Sequence, residues 1–309
     1  MRQLTKESDY HPFRSPKAKQ IYLKSYDAWE NEFWPIESQV REVATSYGST
    51  FVRINGPLDA KPLIMLPGGG GTSLMWFRNI EALSSHYRVF ALDNIWDNGR
   101  SVFAQKMTGI ADLIDWLDEL SVKLDIEETF NLMGQSFGAW IAIKYALEFP
   151  NKINKLVLTS PAAAVQSVRL GFWIRSFACM LHPAYFTRKL MNWLFYDLLT
   201  RDPEGDRIVD NIVEQMVLGM KSFKLKRPIL PTILSEDELS RLNTPTLILM
   251  GQNEKLYSPQ EASERIVNLS KCIESKVIDN AGHDVVFTKA NMVNELIISF
   301  LSVDCRKDQ

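Results

Sequence analysis

The sequence predicts an α/β fold: a mostly parallel sheet flanked by helices, with a helical cap inserted after a strand ending near Thr159. Three observations carry this expectation. Four short apolar runs, at 63–66, 87–92, 129–133 and 153–159, are uninterrupted rather than alternating, as strands covered on both faces are. Segments with helical periodicity lie between them, among them 110–124, where Ile110, Leu113, Ile114, Leu117 and Leu120 share one stripe. After Ser160-Pro161 the alternation stops for some 80 residues and then resumes with runs at 246–250 and 275–278.

Taken in order, the first 15 residues, with Pro12 inside them and Pro16 just beyond, lie among polar neighbours and read as loose or wrapped on the surface. A helix follows over 18–34, with Ile21, Tyr22, Tyr26, Trp29 and Phe33 at helical spacing and Pro35 as its stop. Runs at 40–47 and 50–54, split by Gly48-Ser49, form an antiparallel hairpin. The four sheet strands come next, with crossover helices at 110–124 and 139–149. Residues 162–240 are rich in aromatics and methionines and contain no convincing strand, so they read as a helical insertion ending near the proline-marked stretch at 227–231. The expected organisation is a core from 1–161 and 241–309, including the N-terminal helix, with a cap at 162–240 and a last helix at 292–301.

Composition excludes several function classes. A chain of 309 residues, 46% hydrophobic, can bury a large core. Its net charge of −2, with both signs spread along the chain, leaves no basic stripe for nucleic acid. The three cysteines, Cys179, Cys272 and Cys305, are odd in number and lack metal-ligand spacing, so they imply neither a disulfide framework nor a metal site. No apolar signal core opens the chain and no run of about 18 apolar residues occurs, so the expectation is a cytoplasmic protein without a membrane span. Monomer and homodimer both stay open.

The pentapeptide Gly134-Gln135-Ser136-Phe137-Gly138 stands between a strand and a helix. Alone it would arise by chance in roughly one chain in ten of this length; its context carries the weight. A turn tight enough to hold a serine at a strand tip needs residues without bulk on either side, and the helix beginning there aims N–H groups and partial positive charge at the same spot. A serine hydroxyl needs a base, and the base needs an orienting acid. Of four histidines, His11 sits in the N-terminal stretch, His182 precedes Pro183 in the insertion, and His86 precedes a strand, on the side where parallel sheets bind no ligands. His283, in Asn280-Ala281-Gly282-His283-Asp284, lies just past the last strand. Glu254 stands beyond the strand at 246–250, before Ser258-Pro259-Gln260-Glu261, which reads as a capping box. Its rivals are Asp279, which would have to fold back along its own strand, and Asp284, which adjoins the histidine and points elsewhere.

A second oxyanion donor is expected from Pro67-Gly68-Gly69-Gly70-Gly71-Thr72, with Gly69 supplying one N–H and Phe137 the other. A phosphate cradle would want Gly-Lys-Ser/Thr where Thr72-Ser73-Leu74-Met75 stands. A dinucleotide site would use Asp93, in competition with a hydrolytic set in the same crevice.

With these residues in hand, the chain from about residue 40 onward resembles the α/β-hydrolase superfamily: the glycine loop at 67–71, the loop at 93–101, the elbow at 134–138, Ala281-Gly282-His283, and the order Ser, acid, His. Within it the chain looks most like small bacterial carboxylesterases of the naproxen-ester-hydrolysing kind, which use glutamate as the triad acid, and Glu254 fits that pattern. Pro67 and Gln135 depart from the histidines usual at their positions. The resemblance implies a cofactor-free, metal-free serine hydrolase acting on a small, mostly apolar ester through Ser136, His283 and Glu254. Haloalkane dehalogenases and epoxide hydrolases need a carboxylate nucleophile and drop out. Thioesterases, lactonases, carbon–carbon bond hydrolases and cofactor-free perhydrolases keep serine and stay open, as does, from another class, a ligand receptor on the same fold.

Overall fold

The computed structural model describes residues 9–126 and 129–303. The first eight of the expected loose residues, and Cys305, lie outside this range. The strands are β1 (Gln39–Thr45), β2 (Gly48–Asn55), β3 (Pro62–Leu66), β4 (Arg88–Leu92), β5 (Val102–Phe103), β6 (Phe130–Gln135), β7 (Ile153–Thr159), β8 (Thr246–Gly251) and β9 (Ile273–Ile278). They form one sheet in the order β1-β2-β4-β3-β6-β7-β8-β9, with β5 beside β2. Pairing is antiparallel within the hairpin and between β2 and β4, and parallel from β4 across to β9. All the parallel strands therefore end on one edge, and the loops after β3, β6, β7, β8 and β9 gather there.

The helices are α1 (Pro16–Phe33), α2 (Ile80–Ser84), α3 (Ile110–Lys123), α4 (Phe137–Glu148), α5 (Leu170–Leu181), α6 (Pro183–Leu194), α7 (Tyr196–Arg201), α8 (Gly205–Ser222), α9 (Glu236–Ser240), α10 (Pro259–Leu269), α11 (Val285–Thr288) and α12 (Ala290–Ser302). The uninterrupted apolar runs lie where expected: β3, β6, β7 and β8 are buried almost throughout. The one lysine in β7, Lys155, is buried too. Its ammonium donates to the carbonyls of Phe300 and Val303 at the C-terminal end of α12, where the helix dipole favours a cation.

Several elements differ from the sequence reading in instructive ways. The hairpin turns at Ser46-Tyr47, with Thr45 facing Gly48, because Gly48 is needed inside β2: a Cβ there would meet the Val102 carbonyl at 2.1 Å. Helix α1 starts two residues early, since Ser15 caps it by accepting from the Ala18 N–H and Pro16 fits the first turn. The expected capping box before α10 is half formed. Ser258 accepts from the Glu261 N–H, but the Glu261 carboxylate instead takes a hydrogen bond from Gln166. Phe13, expected in a loose segment, is buried against Tyr22 and Phe223 and bridges to Phe223.

Helices α5–α8 fill residues 170–222, with α5 packed on α6 and α6 on α8; an irregular stretch at 223–235 leads to the short α9, and no strand occurs in this span. Helix α1 packs on α8, burying Tyr22, Tyr26 and Trp29, while its Glu30 and Tyr26 bond Arg53 of β2. The N-terminal helix thus ties the sheet to the inserted helices.

Candidate active site

Ser136 sits between β6 and α4 with φ +51° and ψ −112°, a strained conformation for a residue with a side chain. The surroundings hold it there. Its N–H donates to the Thr159 carbonyl at 2.9 Å and its carbonyl accepts from Ala162 at 3.2 Å. The flanking glycines are demanded by close approach: a Cβ on Gly134 would lie 2.4 Å from the Gly138 carbonyl, and one on Gly138 would lie 2.4 Å from the Leu66 carbonyl. The strand, the helix and the end of β3 therefore meet with no room for a methyl group.

Three of the predicted site residues meet here through their side chains. Glu254 Oε1 accepts from the N–H groups of Lys255 at 2.8 Å and Leu256 at 3.0 Å, which fixes the carboxylate. Its Oε2 lies 2.8 Å from His283 Nδ1. A carboxylate can only accept, so Nδ1 carries the proton, and Nε2 is left to accept from Ser136 Oγ at 3.0 Å. Both Glu254 and His283 are buried, whereas Ser136 is partly open. Burial alone would raise the Glu254 carboxyl, but the charge and hydrogen bond of His283 and the two backbone donors outweigh it and hold the carboxyl below its ordinary value. For His283, burial pulls the imidazole down, and the Glu254 charge and hydrogen bond, with a contribution from Asp284, outweigh it and raise it above its ordinary value.

The glycine loop lies alongside. Gly68 N–H points at Met75 Sδ, Gly70 N–H donates to Asp97 Oδ2 at 2.7 Å and Gly71 N–H donates to the Gly68 carbonyl at 2.9 Å. Gly69 alone of the four has no hydrogen bond for its N–H among the described residues. It packs next to Phe137, since a Cβ on Gly69 would stand 3.6 Å from Phe137 Cβ. Phe137 is the first residue of α4, so its N–H has no helical acceptor either. Gln135 packs on Gly68 and reaches toward the His283 carbonyl with Nε2 at 3.4 Å, so it joins the glycine loop to the histidine loop.

A cavity of about 370 Å³ opens onto Ser136, His283 and Gly68–Thr72. Its walls are largely apolar and come from the inserted helices, with Phe172, Trp173, Leu190, Met191, Leu194 and Met216 among them. Trp29 of α1 also reaches it.

The remaining histidines and acids fall elsewhere. His11 Nε2 bonds the Phe103 carbonyl, His86 is exposed, and His182 accepts from the Tyr185 N–H at the start of α6. Asp279 is exposed. Asp93, the candidate ribose ligand, is consumed internally by Ser73, Arg100 and Tyr26, and so braces the segment after the glycine loop.

Two acids that the sequence reading did not use matter to the site. Asp284 is buried and accepts from the N–H groups of Gly282 and Leu198 and from Thr288 Oγ1, which locks the histidine loop to α7. Asp197 of α7 accepts from Asn253, next to Glu254, and from Arg201. The nearest sequence signal was the Asp-x-x-x-Thr spacing of 284 and 288, which places a hydroxyl one turn from the acid.

Comparison with known proteins agrees with this architecture. Residues 61–290 match the family of the alpha/beta hydrolase fold. The chain is 31% identical over 287 residues to carboxylesterase YbfK of Bacillus subtilis, covering 90% of this chain and 94% of that one. Among solved structures, the naproxen esterase (carboxylesterase NP) from Bacillus subtilis superposes with a TM-score of 0.85 at 26% identity, over 93% of this chain and 99% of its own. Carboxylesterase CesB (YbfK) from the same organism superposes with a TM-score of 0.83 at 30% identity, over 93% and 99%. A family match over more than two thirds of the chain, on a sheet whose loops bearing Ser136, Glu254 and His283 share one edge, makes this chain a member of the α/β-hydrolase family.

Proposed function

We propose that the protein hydrolyses carboxylic esters of small, mostly apolar substrates through an acyl-enzyme on Ser136. His283 Nε2 takes the Ser136 proton as Oγ attacks the ester carbonyl, and the tetrahedral oxyanion is held by the N–H groups of Gly69 and Phe137. Collapse expels the alcohol, which takes the proton from His283. Water then enters, gives a proton to His283 and attacks the acyl-enzyme; the acid leaves and Ser136 recovers its proton. Glu254 keeps the proton on Nδ1 and offsets the imidazolium charge. The inserted helices act as a cap whose apolar wall receives the acyl or alcohol chain.

The observation that carries this reading is the continuous relay from Glu254 to His283 to Ser136 at the edge of an apolar cavity, next to a glycine N–H with no other partner among the described residues. Similarity to two Bacillus carboxylesterases across nearly the whole chain supports the ester as substrate class. Among the described residues no helix is long and apolar enough to cross a membrane. The exposed free thiol of Cys272 fits a reducing cytoplasm.

The test is fluorophosphonate labelling of Ser136 together with turnover of p-nitrophenyl esters beside a thioester and a lactone. Labelling with preferred turnover of the esters is expected. An unlabelled Ser136 would point to a ligand receptor, and preference for the thioester or lactone would move the substrate class.

A further inference from the structure

Helix α5, with the sequence LGFWIRSFACML, is apolar on nearly every side. Phe172, Ser176 and Cys179 on one side line the cavity. On the opposite side Leu170, Ile174, Phe177 and Leu181, spaced i, i+4, i+7 and i+11, are 73%, 61%, 74% and 83% exposed. A helix apolar all round is normally covered all round. Single exposed apolar residues need no explanation, but a continuous stripe about 16 Å long on one helix does.

The charge of the segment that carries the stripe is one-sided. Residues 162–196 contain no aspartate or glutamate and carry Arg169, Arg175, Arg188 and Lys189, in a chain whose net charge is −2. Arg188 is paired with Asp210 of α8. Arg175 lies over Trp193 and Lys189 over Tyr185, and neither they nor Arg169 meet a carboxylate among the described residues. A second copy of the chain fits this face poorly: an isologous dimer sets the same patch against itself, so three uncompensated cations would oppose their own symmetry mates.

We propose that the outer face of α5 docks reversibly on the surface of an anionic phospholipid membrane. The stripe enters the boundary between headgroups and acyl chains while Arg169, Arg175 and Lys189 meet lipid phosphates. The same helix lines the cavity with its other side, so docking brings the cavity within about one helix diameter, ~10 Å, of the lipid. This docking rests on no assignment of the reaction.

Co-sedimentation of the full chain with phosphatidylcholine vesicles, with and without phosphatidylserine, tests it. Binding to the vesicles containing phosphatidylserine is expected, weakened by added salt. Phe177→Ser with Leu181→Ser should weaken it by roughly 100-fold, about tenfold for each large side chain removed from the lipid. Arg169→Gln with Lys189→Gln should weaken it roughly 25-fold, about fivefold per cation. Leu58→Ser, at an 85% exposed apolar residue between β2 and β3, should leave it unchanged, and all variants should keep the parent melting temperature. No binding to either vesicle, binding indifferent to the α5 substitutions, or a dimer that Phe177→Ser with Leu181→Ser converts to monomer would each overturn the proposal.

Discussion

Replacing Glu254 with glutamine is the most informative perturbation of the proposed relay, because the two carboxylate oxygens have different partners. Oε1 accepts two backbone N–H groups and Oε2 faces His283 Nδ1. A glutamine has one acceptor oxygen. Turning that oxygen toward Lys255 and Leu256 keeps two hydrogen bonds and directs the amide N–H₂ at His283; turning it the other way leaves both backbone donors facing an N–H₂. The first arrangement is favoured by one buried hydrogen bond, about 1 kcal/mol or more. It forces Nδ1 to accept, so the imidazole proton moves to Nε2 and points at Ser136 Oγ, which then has no base. The loss in kcat is expected near the upper end of the range for triad acids, about 10⁴-fold, or ~5 kcal/mol of barrier. With the negative charge gone, burial acts on His283 unopposed by Glu254, so the ascending limb of kcat/KM against pH should also move to lower pH. The assay is p-nitrophenyl ester hydrolysis across pH beside thermal melting, which should show the fold intact. A loss smaller than about tenfold, or a larger loss in Asp279→Asn, would refute the role given to Glu254.

Four further outcomes are expected. Ser136→Ala should abolish fluorophosphonate labelling and acyl-enzyme turnover while folding normally, leaving about 10³–10⁴-fold catalysis over water from the oxyanion donors and binding; a wild-type rate would exclude Ser136 as nucleophile. In the wild type, activity needs neutral His283, whose value is raised above the ordinary one, so kcat/KM should climb with pH through a midpoint displaced upward from that of free imidazole, and an undisplaced midpoint would contradict the pairing with Glu254. Each carbon added to the acyl chain from acetyl toward hexanoyl should raise kcat/KM about fourfold until the cavity is full, at about 0.8 kcal/mol per CH₂; a flat series, or preference for a succinyl half-ester, would show that the inserted helices do not form an acyl pocket. Asp284→Ala strips the acceptor from the buried N–H groups of Gly282 and Leu198, so the melting temperature should fall by an amount equivalent to about 2–6 kcal/mol, and an unchanged melting curve would show that this anchor is dispensable.

What the amino-acid sequence determined by itself is what local geometry controls. Gly134 and Gly138 around Ser136 announce a turn in which strand and helix nearly touch, because no other residue fits such an approach, and the uninterrupted run at 153–159 has the exact bounds of β7. The shared edge holding Ser136, Glu254 and His283 was legible too, since strands of a parallel sheet must all end on the same side. Tertiary structure decided what depends on residues far apart in the chain. The sequence expectation named Gly69, but the reason that it alone of four consecutive glycines keeps a spare N–H lies in Met75, Asp97 and a turn within the loop, which take the others. Asp284 adjoins His283 in the sequence, but its part in the site comes from Leu198, 86 residues away, whose N–H donates to it. Helix α1 bridges sheet and inserted helices because Tyr22 and Tyr26 meet Phe223 and Asp93, and the packing of its neighbours leaves the apolar stripe of α5 exposed. Periodicity reports that a helix face is apolar; only the arrangement of its neighbours determines whether that face meets protein, a cavity or the surroundings.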